Sequence, residues 1–219
     1  CTEELFLRAD IEREIFGQRD DYVRRIENEL GVTILSRNGA ILVSGGKKGV
    51  RQAVLTLNQL ESGKDAPVME RFDIVSLIRG VLGSMHIMIE QKEATVIFEE
   101  TEPVYVWADE FKIEEVVTNY TSNALNHLDG ERKVEIKVLQ EEDCVKVTVF
   151  NTGTPIPEED IPNLWNKFYK VDKARTREYG GSGIGLSIVK AIIESMNQKY
   201  GVCNYDNGVE FWFTLDCRQ

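Results

Sequence analysis

The stretch EEVVTNYTSNALNHL (residues 114–128) carries apolar residues at helical spacing: with Ile113 just ahead of it, Val116, Val117 and Tyr120 fall on one inward stripe. Asn119 and Asn123 stand four apart, so both side chains lie on one face, with Glu115 one turn earlier. Asn is a mediocre helix former because its amide competes for backbone groups. Two at this spacing need a reason. Either the face is solvated, or two amides and a carboxylate reach into a site that holds a metal and phosphates.

Downstream, KVEIKVLQ and CVKVTVFN alternate apolar and polar residues as the strands of a half-buried antiparallel hairpin do. The second runs into NTGTPIPEEDI, which puts Asn151 and Gly153 at a strand end, where a glycine lets a ligand come close to the backbone. An amphipathic turn with Leu164, Trp165 and Phe168 follows, then a basic connection with Lys170, Lys173, Arg175 and Arg177 that reads as a lid. After it comes EYGGSGIGLSIVKAII (residues 178–193), with Gly180, Gly181, Gly183 and Gly185 ahead of an apolar helical run. Backbone N–H groups there can converge on an anion at the positive end of a helix. Close helix packing accounts for the same glycines. The spacing is that of neither a P-loop nor a dinucleotide-binding βαβ unit.

Upstream, RFDIVSLIRGVLGSMHIMIEQKE reads as a helix, and ATVIFEE and VYVWAD as strands joined by a turn at Glu102-Pro103. A change of pattern near LNQLESGKDAPVME marks a boundary, which divides the chain into residues 1–60 and 61–219. The first part has the order βαββα: a strand at EELFLR, a helix over DDYVRRIENELG ending at Gly31, two strands joined through Asn38-Gly39, and a helix over KKGVRQAVLTLNQL.

Composition narrows the function. With 42% hydrophobic residues the chain has enough apolar mass for a core, and a net charge of -11 argues against non-specific binding to nucleic acid or anionic lipid. Cys1, Cys144, Cys203 and Cys217 form no C-x-x-C pair, so reduced structural thiols of an intracellular protein are expected rather than a zinc site. No apolar run is long enough to span a bilayer.

As an ordered set, EEVVTNYTSNALNHL, VFNTGTPI, LWNKFYKVD and GGSGIGLSIVK resemble the N-box, first glycine box, F-box and second glycine box of the ATP-binding catalytic domain of sensor histidine kinases, within the Bergerat-fold ATPases. The resemblance covers residues 57–217. It implies an α+β fold, a two-layer α/β sandwich with about five strands on a layer of helices, and a nucleotide under a flexible lid. It implies ATP and Mg²⁺ as cofactors, with Asn123 on the metal, Asn119 near metal and phosphates, and Glu115 assisting the acceptor. Asn151 stands where the family usually has the Asp that receives the adenine amino group, and Gly153 makes room for the purine. Lys170 meets phosphate from the lid edge. Gly181, Gly183, Ile184, Gly185 and Leu186 line the phosphate loop, Ile156 and Tyr169 line the nucleotide site, and Thr214 closes the adenine pocket. Asn126 stands where many members have a phosphate-binding Lys, and His127 at an aromatic or His position is expected to be packed and buried.

Residues 1–60 resemble a K-homology-like (KH-like) module, although Gly17-Gln18-Arg19-Asp20 lacks the second glycine of the nucleic-acid loop. A structural or dimerising role is expected there, and nucleic-acid binding is not. The phosphate-accepting His of the family, on a dimerisation hairpin, has no counterpart in His86 or His127. LNQLESG resembles the last turn of that hairpin, which leads to the expectation of a fragment or a fusion. The resemblance further implies a response regulator and a dimerisation domain as partners, homodimerisation of the full-length protein, a cytoplasmic location, and membrane attachment only through parts outside these residues. The alternative is a degenerate nucleotide-binding or regulatory module without kinase activity.

Overall fold

The computed structural model describes residues 1–7, 12, 16, 21–37, 40–62, 66–99, 102–167, 169–171 and 183–217. Strand β1 (Thr2–Leu5), helix α1 (Asp21–Leu30), β2 (Val32–Arg37), β3 (Ala40–Gly45) and α2 (Lys47–Ser62) form the first unit. Its sheet is antiparallel in the order β1-β3-β2, and Arg37 pairs with Ala40, which leaves two residues for the β2–β3 connection. Those two, Asn38 and Gly39, and the Gly17-to-Asp20 stretch lie outside the described residues. Val32 and Ile34 are buried while Leu35 is 58% exposed, so the helices cover one face only. Val23 and Ile26 of α1, and Val50, Ala53 and Leu57 of α2, complete this core.

The second unit comprises β4 (Glu70–Asp73), α3 (Ile74–Ser84), α4 (His86–Gln91), β5 (Thr95–Phe98), β6 (Tyr105–Ala108), α5 (Glu110–Asn126), β7 (Lys133–Gln140), β8 (Cys144–Thr152), a 3-10 turn (Ile161–Asn163), α6 (Gly185–Ser195), β9 (Tyr200–Tyr205) and β10 (Gly208–Asp216). Seven strands make one mixed sheet in the order β4-β6-β10-β8-β7-β5, with β9 along the remaining edge of β10. The expected five are thus extended by short outer strands. β5 runs parallel to β7, and the other described pairings are antiparallel.

One face of this sheet is apolar and takes the helices. Val209, Phe211, Phe213 and Leu215 of β10 alternate with half-buried Glu210, Trp212 and Thr214. Against them pack Ile113, Val116, Val117 and Tyr120 of α5, the stripe expected from spacing, and Ile188, Val189 and Ile192 of α6. The Tyr120 ring lies 5.4 Å from Phe211 and 6.0 Å from Phe213.

The helix expected over residues 71–93 departs from expectation twice. Its first residues form β4 instead, because Phe72 is buried and residues 70–73 pair with β6. It also breaks at Met85 into α3 and α4, with His86 exposed and its Nδ1 2.9 Å from Gly83 O. Asp73 caps α3, accepting from Val75 N at 3.1 Å, and ties it to the sheet by accepting from Val104 N at 3.0 Å. Burial works to raise the Asp73 carboxyl, but hydrogen bonds from Ser76 Oγ and the Val104, Val75 and Ser76 N–H groups outweigh it, and its pKa falls below 3.8. A depressed carboxyl stabilises the fold above its ordinary value and loses that contribution as pH drops through the native one. Asp73→Ala is therefore expected to cost about 1–2 kcal/mol at neutral pH, with the gap to the parent closing in acid below pH 3.8. Urea unfolding at a series of pH values reads both.

Cys1, Cys203 and Cys217 are exposed and Cys144 is half-buried, all four as free thiols.

Candidate functional site

The open edge of the helical layer is built around α5. Asp109 starts this helix, its carboxylate accepting Lys112 N at 3.1 Å and Val68 N at 2.8 Å. Tyr120 and its apolar neighbours fix the rotation of α5 on the sheet. Glu115, Asn119 and Asn123 then fall on its half-buried flank rather than in the core or in open solvent.

Asn119 Nδ2 donates to Glu115 O at 2.9 Å, which holds the amide against its own helix. Its Oδ1 meets α6: a Cβ on Gly185 would lie 2.6 Å from this oxygen. A side chain at Gly185 would therefore have to displace the Asn119 amide from its place against the glycine loop. Gly183, just ahead, has φ of +69°. Ile184, buried to 1% exposure, anchors the turn, and Ile188 N→Ile184 O at 3.0 Å is the first helical bond. Among the described residues no side chain caps the N–H groups of this first turn, and the turn holds no acidic residue. Such a helix start accepts an anion.

Asn151 lies at the other end of α5. It is 4% exposed on the helix-facing side of β8, and its Nδ2 donates to Thr152 O at 3.2 Å and His127 O at 3.5 Å. A Cβ on Gly153 would come within 2.6 Å of the same His127 oxygen, so the close approach that this glycine permits is to the end of α5. His127 is exposed, contrary to the packed and buried reading, because it is the C-cap where the chain turns away from the sheet. Asn126 is the last, half-buried residue of α5. From Asn119 to His127 the helix rises roughly 12 Å, which separates a phosphate-like end from a buried amide end.

The flanks are fixed by contacts that spacing did not announce. Asn204 of β9 clamps the loop after Asn151: Ile156 N donates to Asn204 Oδ1 at 3.0 Å and Asn204 Nδ2 to Ile156 O at 2.7 Å. Trp165 packs edge-on against Tyr200 at 4.6 Å and Phe211 at 6.0 Å, which fixes this turn on the sheet. Tyr169 donates its hydroxyl to Asp160, and this bond, with burial, raises the phenol pKa. Lys170 Nζ stands 2.9 Å from Glu29 of α1. Phe168, Lys173, Arg175, Arg177, Gly180 and Gly181 lie outside the described residues.

Thr214 does not join this group. It pairs with Lys146 while Asn151 pairs with Val209, five residues away along the ladder, roughly 17 Å at about 3.4 Å per residue. It also sits on the opposite face of the sheet, where its Oγ1 accepts Lys199 N at 3.0 Å and donates to Gln198 Oε1 at 3.1 Å. Val209 faces Asn151 instead. Only strand register reveals this.

As to metal, among the described residues no cluster of three or more His, Cys, Asp or Glu is placed to hold an ion. The oxygens of Glu115, Asn119 and Asn123 suit a hard cation that takes its remaining ligands from phosphates and water, as Mg²⁺ does.

Comparison with known proteins identifies the family. The family of histidine kinase-, DNA gyrase B- and HSP90-like ATPases matches residues 108–219. The sensor protein kinase WalK of Staphylococcus saprophyticus is 27% identical over 232 aligned positions, covering 94% of this chain and 38% of that protein. The chain thus spans less than half the length of this relative. The solved catalytic domain of the histidine kinase ThkA is 31% identical with a TM-score of 0.60, covering 68% of this chain and 95% of that one. ThkA in complex with the response regulator protein TrrA shares the fold at 24% identity and a TM-score of 0.66, covering 95% and 64%. Among the described residues no helix is long and apolar enough to cross a membrane.

Proposed function

The chain belongs to the histidine kinase-, DNA gyrase B- and HSP90-like ATPase family, and from that premise we propose that residues 61–219 are the ATP-binding catalytic domain of a sensor histidine kinase. The observation that carries the reading is the contact of Asn119 Oδ1 with the Gly185 backbone. It joins the amide face of α5 to an uncapped helix start, so metal and phosphate ligands share one cleft.

Asn123 holds Mg²⁺ in this reading, with Asn119 and Glu115 beside it, and the ion supplies charge neutralisation on the phosphates when bound. The N–H groups at Gly183 to Ser187 take phosphate oxygens, and Asn126 extends that surface; Gly181, assigned to the same loop by the resemblance, lies outside the described residues. Asn151 receives the adenine amino group, next to Gly153, Ile156 and His127. An amide keeps an acceptor oxygen there but lacks a carboxylate's charge, so adenine recognition persists more weakly. Lys170, with Tyr169 before it, brings a cation to the lid edge. Thr214 is not assigned to the pocket.

The acceptor is a His on a dimerisation hairpin. Its ring nitrogen bonds to the γ-phosphorus as the bond to the β–γ bridging oxygen breaks. ADP leaves with the electron pair, and the imidazole proton passes to a base, for which Glu115 is the candidate. The protein's contribution is positioning and charge neutralisation. A response regulator as downstream partner, homodimerisation of the full-length protein and a cytoplasmic setting follow from the same reading.

Calorimetric titration with a non-hydrolysable ATP analogue tests it. Heat that depends on Mg²⁺ is expected, together with transfer of acid-labile label from γ-labelled ATP to a supplied acceptor hairpin. No heat at millimolar nucleotide overturns the reading in favour of a degenerate module.

A further inference from the structure

The lid edge meets the first unit of the chain. Lys170 Nζ donates to Glu29 Oε2 at 2.9 Å across 141 residues, and the Lys170 side chain retains only 16% exposure. Glu29 lies in the last turn of α1, off the stripe of Val23, Ile26 and Leu30 that faces its own sheet. That turn holds no basic residue, so its carboxylates oppose the helix dipole rather than complement it. Glu27 has an internal use, accepting Ile34 N at 2.7 Å. Glu29 instead bonds across the chain.

We propose that Glu29 is a built-in competitor of nucleotide phosphate for Lys170, which couples the seating of the N-terminal unit to occupancy of the nucleotide site. The inference rests on the assignment of Lys170 as a phosphate-binding cation. Carboxylate and phosphate oxygens are equivalent partners for an ammonium group, and both bonds are charge-assisted. A triphosphate brought to this ammonium also brings its negative charge against the exposed Glu29 carboxylate, a repulsion that salt weakens. One anion must leave. Nucleotide therefore loosens the α1 contact, and by thermodynamic reciprocity a seated α1 weakens nucleotide binding by the same factor.

The test is calorimetric titration of a non-hydrolysable ATP analogue with Mg²⁺ into the full chain and its Glu29→Gln, Glu4→Gln and Lys170→Met variants. Glu29→Gln is expected to tighten binding about three- to tenfold, an advantage that fades as salt is raised. Glu4 is an exposed residue of β1 that pairs with Leu42, itself paired with exposed Leu35, which places it on the open face of the sheet, away from α1. Glu4→Gln removes the same charge from the same unit and should leave the affinity unchanged. Adding Lys170→Met should erase the gain from Glu29→Gln. Equal affinities for the parent and Glu29→Gln, with binding measurable in both, overturn the competition while leaving the nucleotide site intact. A Glu4→Gln gain equal to that of Glu29→Gln overturns it in favour of a general charge effect. Absence of binding in every chain overturns the nucleotide reading itself, and the competition with it.

Discussion

Replacing Asn123 with alanine will lower the affinity for Mg·ATP about 10- to 100-fold while the fold stays intact. The estimate is the loss of one interaction with a charged centre, about 1.5–3 kcal/mol. Asn123 is half-buried on the flank of α5 and outside the apolar stripe, so truncation opens no core cavity. Chelating Mg²⁺ with EDTA should bring the parent close to the variant and change the variant little, because both manipulations remove the same link. Calorimetry with and without metal gives the four affinities. If Asn123→Ala retained the parent's metal dependence, the ion would have to be held elsewhere.

Tyr120→Ala should destabilise the second unit by about 3–5 kcal/mol, lowering its melting temperature by roughly 10 °C. Tyr120 is 0% exposed, lies between Phe211 and Phe213, and fills the junction of α5 with the central strand. Burial, with Tyr200 nearby, raises its phenol well above the ordinary range, so it packs as a neutral ring. Its hydroxyl reaches Trp212 O at only 3.4 Å, a weak bond, and Tyr120→Phe should cost less than about 1 kcal/mol. The pair separates ring from hydroxyl in thermal unfolding. A nucleotide titration of Tyr120→Ala below its transition reads the tilt of α5, because this ring sets the direction in which Asn119 and Asn123 face.

Most of the proposed phosphate end was legible in the chain. Asn119 and Asn123 are one helical turn apart, and a turn is a local quantity, so spacing places them on one face without knowledge of any other element. The same holds for the apolar stripe of α5, and for the glycines whose number near an apolar helical run signals a close approach. The proposed adenine end was legible only in part. Asn151 at a strand end was a good lead, but Thr214 was assigned to its pocket from order along the chain, and antiparallel register carries it to the far end and the wrong face of β10. Residues 71–73 were read as helix because a four-residue strand carries too short a pattern to compete with the apolar period after it. Pairing with β6 is not written in those four residues.

By itself the sequence determined most of the helices, the alternation of the central strands, and the residue types of the site we propose for phosphate and a hard cation, since these depend on neighbours a few positions away. Tertiary structure alone decided that Val209 rather than Thr214 faces Asn151, that Gly185 closes on Asn119, and that Glu29 reaches Lys170. Each of those contacts joins residues far apart in the chain, and its geometry comes from how layers pack and strands register.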